Sequence, residues 1–196
     1  MSLRLLLLFA ALLGSAPVAT AQSEQAPNGV FLVATPTLFD PNFHHSVVLV
    51  TQTPDGGTVG FILNRPGRRS LAELVPNNDD LKRFTEPLYL GGPVGGSGLF
   101  AVFRAKENPP GALRVLDDVS FAMDRATVEG LLHSPPESVR FFNGYAGWMQ
   151  GQLAAELGHG DWYVVNADAD TVFRQDVDKL WDELVKRARA ITAMLR

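Results

Sequence analysis

Short apolar runs rich in β-branched residues recur from residue 30 to residue 165, and most are bounded by glycine, proline, asparagine or aspartate. Runs of this kind are typical of β-strands. They predict strands over Val30–Ala34, Ser46–Thr51, Thr58–Leu63, Leu88–Leu90, Leu99–Phe103, Leu113–Leu116, Val119–Ala122, Val139–Phe142 and Trp162–Val165. The segment 54–57, Pro-Asp-Gly-Gly, predicts a hairpin because glycine tolerates the positive φ of tight turns.

Helical signals interrupt these runs. The sequence predicts helices over residues 70–75, 124–132, 148–157 and 177–195. Ser70 and Glu73 form a capping box at the start of the first helix, and Asp124 is a suitable N-cap for the second. Because helices and strands mix irregularly along the chain, we expect a single α+β domain. Its sheet is predicted to be mixed or mostly antiparallel, with flanking helices.

The N-terminal segment differs in character from the rest of the chain. A positively charged start, an apolar run over Leu5–Leu13 and small residues ending in Ala19-Thr20-Ala21 are the three parts of a secretory signal. We therefore predict a removable signal peptide over residues 1–21, a flexible lead-in over residues 22–28 and the folded domain over residues 29–196. A wrongly assigned start is the alternative.

Composition excludes several classes of function. The chain has 17 basic and 21 acidic side chains and no basic block, so it lacks the positive surface of a protein that binds nucleic acid or anionic lipid. It has no cysteine, which excludes disulfides, thiolate metal sites and a cysteine nucleophile. The N-terminal apolar run is shorter than the roughly 20 residues that a membrane-spanning helix needs, so no stable membrane insertion is expected after signal removal.

Four segments are richer in glycine and polar residues than a plain core requires: Asp40–Ser46, Gly60–Pro66, 91–98 and Asn143–Gln152. Loops carried by a rigid scaffold commonly hold the functional groups of a domain, so we expect these segments to assemble around one site. The candidate ligand-binding residues are Asn64, Arg65, Gly91, Gly92, Gly147, Trp148 and Gln152.

Each candidate has a functional and a structural interpretation. The guanidinium of Arg65 is suited to gripping a carboxylate or phosphate, and equally to pairing with an acidic neighbour. Asn64 is interpreted first as a turn former whose side chain bonds the local backbone. Gly147 precedes the predicted helix start, where free N–H groups favour an anion. Trp148 is interpreted first as a core aromatic, with a stacking wall beside the amide of Gln152 as the alternative.

Other chemistry has weaker support. The glycine-rich segment 91–98 is interpreted as a tight structural turn, because it lacks the Lys-Ser/Thr ending and the following helix of a phosphate-binding loop. His44 and His45 are adjacent, and neighbours on a strand point to opposite faces, so a shared metal ion is not expected. Asp40, a histidine and Ser46 suggest a hydrolase triad, but the chain has no G-x-S-x-G elbow.

Several ordered motifs resemble the AlgH/YqgE family of bacterial proteins. They are Phe31–Phe43 (FLVATPTLFDPNF), Ser46–Leu49 (SVVL), Gly60–Pro66 (GFILNRP), Gly91–Val94 (GGPV) and Gly144–Leu153 (GYAGWMQGQL), together with Glu156, Trp162 and Trp181. The resemblance covers nearly all of residues 29–187. It implies a compact domain built around a sheet, without an established biochemical activity, and a cytoplasmic location that conflicts with the predicted signal peptide. One member's name reflects a proposed role in regulating alginate synthesis at transcription, but the chain has no helix-turn-helix pattern.

These observations lead to a functional hypothesis. We predict a non-catalytic binding or regulatory module with one shallow site, near Arg65, Gly91–Pro93 and Gly147–Trp148. Its partner is an unidentified protein or a small anionic ligand, and no nucleic acid, metal or cofactor is expected. The alternatives are a small hydrolase or transferase, which would require Asp40, a histidine and Ser46 within hydrogen-bond reach, and a structural protein that oligomerises. We expect an exported, periplasmic protein, with the cytoplasm as the alternative.

Overall fold

The computed structural model describes residues 29–194, so the predicted signal peptide 1–21 and the lead-in 22–28 lie outside the described residues. The strands are β1 Val30–Ala34, β2 Val47–Gln52, β3 Thr58–Ile62, β4 Pro66–Ser70, β5 Pro87–Leu90, β6 Val94–Arg104, β7 Ala112–Arg114, β8 Val119–Ala122, β9 Val139–Trp148 and β10 Trp162–Asn166. The helices are α1 Leu71–Leu74, α2 Arg125–His133, α3 Gln152–His159, α4 Ala169–Phe173 and α5 Leu180–Met194, with a 3₁₀ turn at Asp79–Leu81. Within residues 29–194, none of the helices combines the length and the apolar character required to cross a membrane.

The strands form one extended sheet in the order β10-β1-β2-β3-β9-β6-β8-β7. Neighbours along this path are antiparallel, whereas β5 runs parallel to β9 and also pairs with β4. The predicted α+β class and mostly antiparallel sheet are therefore confirmed.

Strands β1, β2 and β3 are almost completely buried, which explains why they read as continuous apolar runs rather than alternating ones. Alternate residues serve two different cores. On one face Phe31, Leu49 and Phe61 belong to the core that α5 completes with Leu180 and Leu184. The opposite face presents Leu32, Val48 and Ile62 to a second core, which Leu153 of α3 completes. The central strands are thus covered by helices on both sides.

The predicted helix caps are confirmed. The hydroxyl of Ser70 accepts a hydrogen bond from the amide of Glu73 at 3.2 Å, and the carboxylate of Glu73 accepts one from the amide of Ser70 at 2.8 Å. The carboxylate of Asp124 accepts a bond from the amide of Thr127 at 3.0 Å and opens α2. These short-range signals act within one helical turn, so they can be recognised from the sequence.

Two predictions near the candidate site are wrong. The chain stays extended through Gly147 and Trp148, because their backbones pair with Val59 and Thr58 of β3, and helix α3 begins only at Gln152. The glycine-rich segment 91–98 is not a compact turn, since β6 already begins at Val94 and runs with an irregular register to Leu99. Strand β4 and helix α4 have no counterpart in the prediction.

Glycine permits a close backbone approach where β9 changes neighbours. The first half of β9 pairs with β5 and β6, whereas Ala146 and the residues after it pair with β3. Gly91 links these regions, because its amide donates to the carbonyl of Asn143 and its carbonyl accepts from the amide of Ile62, both at 2.9 Å. A methyl group at Gly91 would overlap the carbonyl oxygen of Gly144 and lie 2.8 Å from the ring of Phe61.

We expect Gly91→Ala to lower the free energy of unfolding by roughly 1–3 kcal/mol, because the added methyl meets backbone that cannot rotate away. Gly96→Ala is the matched control, since no atom lies within 4 Å of a methyl group at that position. The control should stay within about 0.5 kcal/mol of the parent protein in urea unfolding. Equal stability of the two variants would contradict the proposed steric role of Gly91.

Candidate functional site

The candidate residues gather around Asp40–Ser46, the second part of the connection between β1 and β2, which we call the 40–46 segment. Asn64 holds one end of it. Its Oδ1 accepts a hydrogen bond from the amide of Val47, and its Nδ2 donates to the carbonyl of His45, both at 2.9 Å. The interpretation of Asn64 as a local turn former is therefore corrected: its amide joins backbone that is distant in sequence.

Arg65 holds the middle of the 40–46 segment. Its Nη1 donates to the carbonyl of Asn42, and its Nη2 donates to the carbonyl of His44 at 3.1 Å. Burial lowers the pKa of the guanidinium, and the nearby charge of Asp40 opposes that shift. The forked donor geometry of arginine suits this double contact, which lysine could not reproduce. Arg65 thus grips the protein's own backbone.

Phe43 anchors the segment in an aromatic cluster on the other side. Its ring stacks on Trp148 with centroids 5.6 Å apart and meets the edge of Trp162 at 5.5 Å. The carboxylate of Glu156 accepts hydrogen bonds from both indole N–H groups at 2.9 Å. Gln152 donates to the same carboxylate at 3.1 Å. Trp148 is only 4% exposed, which confirms its interpretation as a core aromatic.

The two histidines occupy an unusual arrangement at the end of the segment. His45 has a φ of 53°, the left-handed region that residues other than glycine rarely adopt. This conformation lets the rings of His44 and His45 stack with centroids 3.7 Å apart. His45 also lies 3.9 Å from the ring of Trp181, whose indole N–H donates to the carbonyl of Ala34 at 2.8 Å. Because the segment is not a strand, the expectation that these side chains point apart is wrong.

The groups that suggested a hydrolase triad do not form one. The hydroxyl of Ser46 is buried without a hydrogen-bond partner. The carboxylate of Asp40 accepts from the amide of Asn42 at 2.7 Å, and the Nδ1 atom of His44 bonds the carbonyl of Leu38 at 3.0 Å. Within residues 29–194, no three or more histidine, aspartate and glutamate side chains are placed to hold a metal ion.

The three candidate glycines lie within the sheet or against its backbone. Gly91 lies at the junction of β3 and β9, and a methyl group at Gly92 would overlap the backbone of Tyr145. Gly147 lies inside β9, so the predicted anion site at a helix start there is wrong. Gly147, Trp148 and Gln152 line an open cavity of about 430 Å³, but Arg65 is not among its lining residues.

The structure therefore brings four of the candidates to the 40–46 segment from two sides. Asn64 and Arg65 hold its backbone, whereas Trp148 and Gln152 build the cluster that receives Phe43. The candidate list omits the partners that complete this arrangement, which are Phe43, Glu156, Trp162 and Trp181. All four lie within the motifs of the resemblance, and that is the sequence signal by which they could have been found.

The sequence matches the AlgH-like family over residues 31–192. It is 32% identical over 170 residues to a UPF0301 protein of Chlorobaculum tepidum, covering 85% of this chain and 89% of that protein. A UPF0301 protein of Thermobifida fusca is 41% identical over 171 residues, covering 81% and 85% of the two chains.

Two solved structures have a similar fold. The solution structure of the AlgH protein from Pseudomonas aeruginosa has a TM-score of 0.66 and 27% identity over 81% of this chain and 86% of that one. The crystal structure of protein DIP2367 from Corynebacterium diphtheriae has a TM-score of 0.66 and 25% identity over 83% and 87%. The family match spans nearly the whole described domain, and this chain therefore belongs to the AlgH-like family.

Proposed function

We propose that this protein is a non-catalytic binding module that presents the 40–46 segment to a protein partner. The observation that carries the proposal is the number of independent contacts that hold this exposed segment in one shape. Asn64 and Arg65 bond its backbone, Phe43 enters an aromatic cluster, and the ring of His45 contacts that of Trp181. Ordering a recognition loop before binding reduces the entropy that association costs.

The exposed side chains of this region suit protein recognition. Asp40, Asn42, His44 and His45 are exposed although their backbones are held. Phe39, directly before the segment, is 82% exposed. Aromatic side chains of this kind contribute strongly when an interface buries them, and a polar surround adds hydrogen bonds.

Backbone strain supports the same proposal. The left-handed conformation of His45 costs of order 1–3 kcal/mol and persists only where surrounding contacts stabilise it. Such strain is concentrated at sites that bind or act. The hydrolase alternative loses its motivating geometry, because the hydroxyl of Ser46 is buried and lacks a hydrogen bond to any histidine.

The role of Arg65 in ordering the segment can be tested by hydrogen exchange. The amides of Phe43, His44 and Ser46 donate to carbonyls within the segment, so their exchange reports its order. We expect Arg65→Lys to accelerate their exchange roughly tenfold or more, because lysine cannot bond two carbonyls in a fork. Arg68→Lys, an exposed neighbour on β4, is the matched control. Unchanged protection in Arg65→Lys would show that the guanidinium does not order the segment.

The binding function can be tested by photo-crosslinking in the native bacterium. A photo-reactive amino acid is placed at Asn42, and at the exposed control position Glu107 on the β6–β7 connection. We expect a discrete protein adduct from position 42 and not from position 107. Arg65→Lys should reduce the adduct several-fold, because the disordered segment binds less well. No adduct at position 42, or the same adduct from both positions, would refute the proposal.

We further propose that the module acts outside the cytoplasm, on the strength of the three-part signal in residues 1–21. Sequencing the N-terminus of the protein from fractionated cells tests this. We expect a mature protein that begins at Gln22 and is recovered from the periplasm. An intact N-terminus recovered from the cytosol would overturn the proposal.

A further inference from the structure

Arg140, near the start of β9, is a buried cation held by backbone carbonyls. Its side chain is 2% exposed. Nη1 donates to the carbonyl of Val172 at 2.8 Å, and Nη2 donates to the carbonyls of Arg174 at 2.9 Å and Phe173 at 3.4 Å. The guanidinium also lies 4.4 Å from the centre of the Tyr89 ring. These contacts fix the plane of the group without supplying a full negative charge.

Not every nitrogen of this guanidinium has a hydrogen-bond partner. The buried Nε atom of Arg140 makes no hydrogen bond. Glu86 faces it with a carboxylate oxygen at 3.7 Å, too far for a hydrogen bond, and the Glu86 side chain is 47% exposed. Burying a charged group without a well-formed partner is costly, so the Nε–H is an open donor for a better-placed anion.

The Arg140 side chain borders a cavity. Arg140 and Glu86 both line a cleft of about 370 Å³, which we call the Arg140 cleft. A second cavity of about 480 Å³ continues beyond Glu86 and Gln175, and these two residues line both spaces. They meet through a long hydrogen bond of 3.4 Å from Gln175 to Glu86. The volume of the Arg140 cleft is within the range of small-ligand sites.

The lining of the Arg140 cleft defines the chemistry that it accepts. Apolar side chains form about half of its wall, and they include Leu71, Phe84, Pro87, Pro135, Pro136 and Phe141. Its charged lining consists of Arg83 and Arg140 together with Glu86 and Glu137. Without Glu86, whose half-exposed carboxylate can turn to solvent, the lining carries one net positive charge, so it compensates one carboxylate but not a dianion such as phosphate. A single negative charge on an apolar body matches the space and its lining.

We propose that the Arg140 cleft binds a monocarboxylate with an apolar body, whose carboxylate replaces that of Glu86 beside the Nε–H of Arg140. The apolar part lies against the proline and phenylalanine walls. Glu86 is half-exposed and can turn to solvent when the ligand enters. Burial raises the pKa of the Tyr89 phenol, although the charge of Arg140 opposes that shift, so the ring beneath the guanidinium stays neutral at ordinary pH.

The proposal is independent of the 40–46 segment, because no residue of that segment lines the Arg140 cleft. The required carboxylate can belong to a free organic acid or to the C-terminus of a peptide with an apolar last residue. Both present the same group to Arg140.

The test is NMR titration of the purified chain, followed at the side-chain Nε–H signal of Arg140. The probes are hexanoate and the N-acetylated tripeptide Ala-Ala-Leu, each compared with its uncharged amide. We expect a saturable shift of the signal with the acids and none with the amides. Tighter binding of hexanoate identifies a free acid as the source, and tighter binding of the tripeptide identifies a peptide end.

Glu86→Gln tests the proposed exchange of carboxylates while Arg140 itself is kept. We expect this variant to lower the Kd of the acids at least threefold, because it removes the competing negative charge while keeping the side-chain volume. Glu107→Gln changes the net charge equally at an exposed position outside the cleft and should leave the Kd unchanged. Three results would overturn the proposal: no saturable shift in either the parent protein or Glu86→Gln, equal binding of acids and amides, or equal tightening by Glu107→Gln.

Discussion

Gly91 and Gly144 bring their backbones into contact where β9 leaves β5 and β6 and joins β3. Gly91 bonds both Asn143 and Ile62 there, so its backbone adds a second link between β9 and the end of β3. A side chain at this crossing would push the strands apart. The change of neighbours along β9, which sets where its two ends lie, depends on this close approach.

Strand β9 contributes to a different surface of the protein at each of its ends. Arg140, near its start, lies beneath the cleft that faces β5, and Trp148, at its end, supports the 40–46 segment through Phe43. The two surfaces differ in how far their polar groups are hydrogen-bonded. Around Phe43 the carboxylate of Glu156 accepts hydrogen bonds from both indoles and from Gln152, and the result is a held loop. Around Arg140 the protein leaves the Nε atom without a hydrogen bond, and this is the group to which we assign the binding of a carboxylate.

The candidate residues show what a sequence pattern can predict and what it cannot. Asn64, Arg65, Trp148 and Gln152 do belong to one region, but the pattern could not reveal that they contact the protein itself. The partners of Asn64 and Arg65 lie 17 to 23 residues away along the chain. Arg140 escaped notice because it lies within an apolar strand, and its carbonyl partners come from a helix and turn more than 30 residues later.

Interactions between residues close together in the sequence determined much of the fold. The apolar strand runs, the capping box at Ser70 and the N-cap at Asp124 depend on contacts within a few residues, and these predictions agree with the structure. Only tertiary contacts decided that Gly147 and Trp148 remain extended, because pairing with β3 outweighs the local helical pattern. Tertiary contacts also decided the left-handed conformation of His45 and the burial of Arg140. The sequence alone determined the family and most elements, whereas long-range pairing decided which side chains are held and which donor is left open.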